Sequence, residues 1–391
     1  MFVTSQSSIM APSLPFEIIA KIIENTYHLH MDPPKVDIKT LSACAAVCKR
    51  WHRFARGLLF FKVDGALDNE RYFRVLAGPG GLGTCVRSLD LDVKRVCTKP
   101  VWTMALSYCP NLYELCLDVP SDAPELIELE VIQLKALHLR IRALTFTLHG
   151  MQGELCVLYQ LMAIWPSIQF LTVSMLPGST PRLPGERPPF SLYELTLSTF
   201  CLLAEPIMRW LLPPIPEGQK GSLHILSFTT GADQDLNALM EYMPYVRSLR
   251  ILFRHPFPQG FLERCSALEE LIFDVSDVAA ESPDPKALVL PATIEHLKIT
   301  GVNGAEVEPF AMAFTRSTLP RLQQVSINTY EMPQLPQDRY IDLSKVCSDR
   351  GVALVADSPG GLSWTSEYPV PVDHFPRDRT IENLYRMNIM D

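Results

Sequence analysis

One short phrase, apolar–x–x–Leu–x–apolar, recurs along most of this chain and restricts its fold more than any other feature. Its instances are Val86/Leu89/Leu91, Leu112/Leu115/Leu117, Leu134/Leu137/Leu139, Ile168/Leu171/Val173 and Leu192/Leu195/Leu197, then Leu223/Leu226/Phe228, Val246/Leu249/Ile251, Leu268/Leu271/Phe273, Ile294/Leu297/Ile299 and Leu322/Val325/Ile327. The central residues run from position 89 to position 325 in nine steps, a period of about 26 residues. The alternation at the end of each phrase reads as a short strand with one buried face. Proline precedes several instances, as in Cys109-Pro110-Asn111-Leu112, Trp165-Pro166-Ser167-Ile168, Met243-Pro244-Tyr245-Val246 and Leu319-Pro320-Arg321-Leu322. There it ends the preceding helix and pushes its neighbour toward extended backbone. Between the strands lie helical faces: Val101/Met104/Ala105/Tyr108, Leu158/Leu161/Met162/Trp165 and Leu236/Leu239/Met240/Met243.

A strand-plus-helix unit of this size cannot bury its apolar face alone, so stacked units build one continuous core. The array resembles a divergent leucine-rich repeat, which implies an α/β fold: an irregular solenoid, horseshoe-like, with a parallel concave sheet. The usual Asn or Cys after each strand is missing, since those positions hold Lys94, Pro120, Arg142, Leu176, Phe200, Gly231, Arg254, Ser276, Val302 and Tyr330. The spacing varies from 22 to 34 residues, with a Pro/Gly-rich excursion from Pro177 to Pro189. Uneven turns are therefore expected. The competing expectation is ordinary βα units in a globular α/β domain, against which ten aligned strands already exceed the usual sheet size.

Ahead of the repeats stands a separate pair of helical patterns. Pro15 suits a first helical turn, Glu17 sits near the positive end of the dipole, and Ile18, Ile19, Ile22 and Ile23 form one face. A second stripe, Leu41, Cys44, Cys48, Trp51, Ala55 and Leu58, steps 3, 4, 3, 4, 3 as one helix, with Asp37 or Thr40 as its cap. So short a pair leaves an apolar face wanting a partner. Leu14-Pro15-x-Glu17-Ile18-Ile19, Leu41-x-x-Cys44-Ala45-Ala46-Val47-Cys48-Lys49-Arg50-Trp51, Ala55-Arg56 and Leu58-Leu59-Phe60 closely resemble an F-box, in the form common among mushroom-forming (basidiomycete) fungi. The stretch from Tyr27 to Lys39 is longer than that family's turn, and is either a surface loop or a distortion of the pair.

The expected organisation is a disordered N-terminus (1–12), an F-box-like helical domain (13–62), a linker or first-repeat cap (63–85), the solenoid (86–356), and a tail (357–391) that either caps the last repeat or hangs free. The resemblance implies a non-catalytic substrate receptor of a Skp–cullin–F-box ubiquitin ligase. Leu14, Pro15, Ile18, Ile22, Leu41, Val47 and Trp51 would meet a Skp-type adaptor, and through it a cullin. The alternative is a leucine-rich-repeat scaffold in which these helices only cap the solenoid.

Strand phase nominates the concave face as the surface for an unknown protein substrate. Its members include Phe170, Ile225, Arg250, Leu252, Glu270, Ile272, Asp274, His296 and Lys298, along with Asp90, Asp92, Glu114, Asp118, His138, Arg140, Glu194 and Asn328. Phe170, Ile225, Leu252 and Ile272 are expected to face solvent, rimmed by charge. A tail folded back over this face is the competing expectation.

Motifs for chemistry are missing. The sequence holds no G-x-G-x-x-G opening a helix, no G-x-x-x-x-G-K-[ST], no H-E-x-x-H and no G-x-S-x-G. Gly78-Pro79-Gly80-Gly81-Leu82-Gly83 lacks the Lys-Ser/Thr of a phosphate loop and reads as a flexible join. His28, His30, Cys44 and Cys48 offer zinc-type donors, but both cysteines fall on an apolar stripe. No catalytic residue, metal site or cofactor is expected. A net charge of −8 argues against nucleic acid, and no apolar run is long enough for a membrane span. With no secretory signal pattern and ten scattered cysteines lacking any C-x-x-C, a reducing cytoplasmic or nuclear setting is expected. Lys49, Arg50, Arg53 and Arg56 form a basic run with no acid from Leu41 to Arg56; it reads as a solvated face, then as a contact for an acidic protein.

Overall fold

Asp37 starts the first well-formed helix of the computed structural model. Its Oδ1 accepts from the Thr40 backbone N–H at 2.9 Å, which caps α1 (Ile38–Val47). Those hydrogen bonds from Thr40 hold the Asp37 carboxyl below its usual range. The structure describes residues 15, 18–19, 22–23, 37–63, 75–78, 81–92, 100–120, 125–149, 155–175, 187, 189–197, 205–229, 237–252, 260–274, 289–300, 314–315, 318–328 and 341–357.

The stripe from Leu41 to Leu58 is two helices, contrary to the single one expected. Cys48 adopts extended backbone (φ −164°, ψ 169°), ending α1 and starting α2 (Lys49–Leu59). The break lets α2 fold back on α1, so that Leu41 and Cys44 share a core with Ala55 and Leu58. His52 Nδ1 lies 3.0 Å from the Ala45 carbonyl oxygen and ties the two helices together. The 3–4 stepping runs through Cys48 undisturbed, so local pattern held no mark of the break. Ile18, Ile19, Ile22 and Ile23 are helical, and the Ile19 N–H reaches the Pro15 carbonyl at 3.2 Å, placing Pro15 at the helix start.

Twelve parallel strands follow in strict sequence order and form one open sheet. They are β1 (Lys62–Val63), β2 (Ser88–Asp92), β3 (Glu114–Pro120), β4 (Ala143–His149), β5 (Phe170–Met175), β6 (Glu194–Leu197), β7 (Ile225–Thr229), β8 (Ser248–Leu252), β9 (Glu270–Asp274), β10 (His296–Thr300), β11 (Gln324–Asn328) and β12 (Ala353–Asp357). Intervening helices are α3 (Pro100–Tyr108), α4 (Glu128–Ala136), α5 (Cys156–Ile164), α6 (Glu205–Leu211), α7 (Asn237–Met240) and α8 (Ile341–Asp349). A sheet that grows by one neighbour at a time is a solenoid, not a doubly wound domain. In-register stacking lines up Leu89, Leu115, Leu144, Leu171, Leu195, Leu226, Leu249, Leu271, Leu297 and Val325 in one ladder inside the main core.

One expected strand is misplaced. Leu134 lies in α4 and Leu137 caps it, while the strand is carried by Ile141, Leu144 and Phe146. Both triplets have the same spacing. His138, expected on the concave face, instead takes φ 49° directly after the helix, the left-handed turn position where glycine is usual. With this correction Leu115 to Leu144 is 29 residues and Leu144 to Leu171 is 27, so the repeat is more even than the sequence reading.

The prolines act through tight turns. Leu112 N–H donates to the Cys109 carbonyl, Ile168 to Trp165, Val246 to Met243 and Leu322 to Leu319, at 3.1–3.3 Å. Each is a four-residue turn with proline second, where its fixed φ is already correct. One residue before each strand, a carbonyl then accepts two consecutive N–H groups from the next unit. Arg87 accepts from Tyr113 and Glu114, Tyr193 from His224 and Ile225, and Glu269 from Glu295 and His296. This doubled acceptor recurs from Phe61 to Glu295, satisfying the entry of each strand with backbone alone. The positions where the repeat family keeps Asn or Cys lie mostly outside the described residues.

Candidate protein-interaction surfaces

Two faces of the N-terminal helices behave differently. Ile19, Ile23 and Leu41 are buried, whereas Ile18 is 47% exposed, Ile22 39% and Val47 62%. Ile38 is also exposed, Pro15 is exposed, and Trp51 is half-buried against the small core. Of the residues expected to meet an adaptor, then, Pro15, Ile18, Ile22 and Val47 are surface groups and Trp51 is shared. Leu41 is a core residue, so any contribution to binding is through the shape of the helix pair. Leu14 lies outside the described residues.

The buried side of the same helices does not form a closed core of its own. Ile19, Ile23, Leu58 and Phe61 belong to one cluster with Tyr113, Ala143 and Phe170, at the leading edge of β3, β4 and β5, with Phe54 and Tyr193 packed on it. Helices that only capped the first repeat would lie near Phe73, Val86 and Leu89. Val86 and Leu89 belong to the main core, and Phe73 lies outside the described residues.

For the expected positions that lie on observed strands the phase away from the leucine core holds, but the expected exposure does not. Phe170, Ile225, Leu252 and Ile272 stand outside the main core on the opposite face of the sheet, yet all are buried, Ile225 at 1%. Glu270 is 0% exposed, and His296 and Lys298 are buried too; Arg250 keeps partial exposure, and Asp274 closes β9. This is a second buried surface with a polar composition. Among the described residues only one buried polar side chain, Glu130, lies elsewhere; the rest are Ser88, Glu114, Thr196, Ser227, Ser248, Glu270, His296, Lys298, Thr300 and Ser326. Hydroxyls on one strand serve carboxylates on the next: Ser88 Oγ donates to Glu114 Oε2 at 2.9 Å, and Ser248 Oγ donates to Glu270 Oε2. Partial exposure on this face is retained along β2–β5, by Asp90, Asp92, Cys116, Asp118, Thr145 and Thr172 among others, and further on by Glu194, Arg250 and Gln324.

Sequence reasoning passed over the row just before the strands. Tyr193 and His224 stack there at 4.8 Å and 15°, with Phe170 5.6 Å from Tyr193. Arg142 donates to Gln169 at 3.2 Å and lies 6.0 Å from the Tyr113 ring centroid. Arg247 grips Glu269 with both ends of its guanidinium at 2.6–2.9 Å. The second position of every apolar–x–x–Leu phrase was the signal for this row; it has no hydropathy pattern of its own.

Two polar side chains hold the backbone at and after the end of α6. Arg187 donates Nε to the Trp210 carbonyl at 2.6 Å and Nη2 to Phe190 at 3.0 Å, anchoring the end of α6, with burial pulling its pKa down. Tyr242 donates to the Pro213 carbonyl beside it. Among the described residues no group of His, Cys, Asp or Glu could hold a metal ion. Cys44 is buried in the small core, Cys48 is exposed, and His28 and His30 lie outside the described residues. Gly83 is no phosphate cradle: it is buried, and a β-carbon there would fall on the Tyr108 carbonyl oxygen. No helix among the described residues is long and apolar enough to cross a membrane.

Residues 11–64 match the family model described as F-box-like. The chain carries an F-box-like segment. No curated protein matches the chain in sequence. Among solved structures, one chain from the crystal structure of the Rad7 and Elc1 complex in yeast is similar at 14% identity and a TM-score of 0.35, over 87% of this chain and 92% of that one. At that level the likeness carries no argument about partners or chemistry.

Proposed function

We propose that this chain is the substrate-recognition subunit of a Skp–cullin–F-box type ubiquitin ligase. The F-box-like helices bind a Skp-type adaptor and through it a cullin, and the repeats hold a protein substrate. The observation that carries this reading is the exposure of Ile18, Ile22 and Val47 while Ile19, Ile23 and Leu41 are buried. A helix pair that served only as a cap would turn its apolar residues toward what it covers. Here one apolar face is used inside the chain and a second is left outside, which is the composition of an interface centre.

The chain supplies proximity and no active site, so the transfer chemistry belongs to partner enzymes, acting in the cytoplasm or nucleus. Substrate contact falls to the concave face. Because Phe170, Ile225, Leu252, Glu270, Ile272, His296 and Lys298 are buried, direct contact is made by Arg250 and by the half-exposed positions at β2–β5, Asp90, Asp92 and Asp118 among them.

The test is co-expression with a Skp-type adaptor followed by gel filtration, with an Ile18→Asp/Val47→Asp variant alongside. Both positions are exposed, so the variant is expected to fold, which its circular dichroism spectrum checks. Co-elution lost in the variant supports the reading, and a wild-type monomer that ignores the adaptor overturns it. A second reading, a scaffold with a helical cap, is favoured by one observation: Tyr113, Ala143 and Phe170 share their buried cluster with the helices. It predicts a monomer whose repeats unfold when residues 1–60 are deleted.

A further inference from the structure

On α2, Lys49, Arg53 and Arg56 stand at i, i+4 and i+7, so they share one side of the helix. That side is opposite Ala55 and Leu58, which are buried. Lys49, Arg50 and Arg53 are exposed, and Arg56 is half-buried. Among the described residues neither Lys49 nor Arg53 makes an ion pair or a side-chain hydrogen bond. No Asp or Glu occurs from Leu41 to Arg56, in a chain whose overall charge is −8. The charge is therefore concentrated against the trend of the whole molecule. It also begins two residues after Val47, where the exposed apolar surface ends.

We infer that the surface docking on the N-terminal helices is acidic, and that Lys49 and Arg53 form the charged rim of the contact whose apolar centre includes Val47. This rests on the adaptor reading above and adds the chemistry of the partner. An apolar centre with a charged rim is the anatomy of a protein–protein interface. Single-stranded nucleic acid would need aromatic platforms, but Trp51 and Phe54 pack against the small core. Rim charges act mainly on the rate of encounter, through long-range attraction that salt screens.

The experiment measures association and dissociation of the full chain with a Skp-type adaptor at ~50 mM and ~500 mM NaCl. It compares wild type, Lys49→Glu/Arg53→Glu, the neutral Lys49→Gln/Arg53→Gln, and Val47→Asp. The expected result is roughly tenfold slower association for the charge reversal at low salt, a smaller loss for the neutral pair, and convergence at high salt. Dissociation stays within about twofold, as for other rim charges. Charge-reversed chain that associates like wild type at both salts, while Val47→Asp loses binding, overturns the inference and leaves the adaptor reading standing. No wild-type binding at either salt overturns both. Parallel sedimentation with phosphatidylserine–phosphatidylcholine vesicles covers the other anionic surface: binding lost in the charge reversal, with adaptor kinetics unmoved, assigns the stripe to lipid and also overturns the inference.

Discussion

Ser248 and Glu270 sit side by side on β8 and β9, and the serine hydroxyl donates to the buried glutamate carboxylate. Ser88 and Glu114 repeat the relationship on β2 and β3. A parallel ladder places each such pair in register, so a hydroxyl can meet the carboxylate next door without moving backbone. This pairing lets the concave side bury the Glu114 and Glu270 carboxylates, which would otherwise oppose folding.

Removing the donor leaves Glu270 short of one hydrogen bond in a site closed to water. Ser248→Ala is expected to lower stability by about 1–3 kcal/mol. Ser222→Ala, at a half-buried position between strands, is the comparison and should change it by less than about 0.5 kcal/mol. Urea unfolding followed by circular dichroism reads both, and an unchanged midpoint for Ser248→Ala would remove the argument for the pair.

Three backbone positions give opposite signs. Gly83→Ala drives a methyl onto the Tyr108 carbonyl oxygen and should cost about 1–3 kcal/mol or more. Gly57 lies inside α2 with nothing within 4 Å of a β-carbon, so Gly57→Ala should stabilise by about 0.5–1 kcal/mol. His138→Gly should relieve the φ of 49° by up to about 1 kcal/mol. Thermal melts of the three variants test all the signs together.

Leu41 and Val47 separate folding from binding on a single helix. Leu41 is fully buried, and Leu41→Ala should cost about 2–5 kcal/mol, with adaptor binding lost only because the helix pair unfolds. Val47→Asp should leave the melting temperature within a few degrees and still abolish co-elution with the adaptor. Equal melting losses for the two would place Val47 in the core and contradict its exposure.

Alkaline pH should weaken the fold. Burial pushes the thiols of Cys109 and Cys265 up to about 12 from an ordinary 9.0, and the phenols of Tyr193 and Tyr242 up to about 12 from 10.0. In each case the unfolded chain loses its proton first, so the stabilisation is complete below pH 9 and declines as pH rises from about 9 toward 12. Denaturation midpoints should therefore fall through this range. At pH 8 the same burial keeps Cys109 and Cys265 protonated, so iodoacetamide should label exposed Cys48 and spare those two until denaturant is added. Mass spectrometry of the labelled peptides distinguishes the sites.

Much of the solenoid was legible because its signal is repeated. Nine of the ten phrases mark observed strands, and each central residue enters the same ladder. The exception, Leu134/Leu137/Leu139, shows the limit: three-residue spacing suits the inner face of a helix as well as the start of this phrase. Which triplet becomes strand depends on where α4 ends, and that is set by the turn at His138. The cap at Asp37 was legible as one of two choices, while the break at Cys48 was not legible, because it is driven by α2 folding onto α1.

Alternation and period by themselves determined a parallel, sequentially ordered repeat sheet, its buried leucine ladder, and the short amphipathic helices ahead of it. These are local properties, each readable within a few residues. Only the tertiary structure decided which apolar residues stay outside. Ile18 and Ile19 are neighbours of the same type, yet one is exposed and the other buried, because the small core meets β3–β5 from one side only. The same holds on the concave face, where phase assigned Ile225 and Glu270 to the side away from the leucine core but not to burial. Phase is a property of one strand; exposure depends on every atom the rest of the chain brings near.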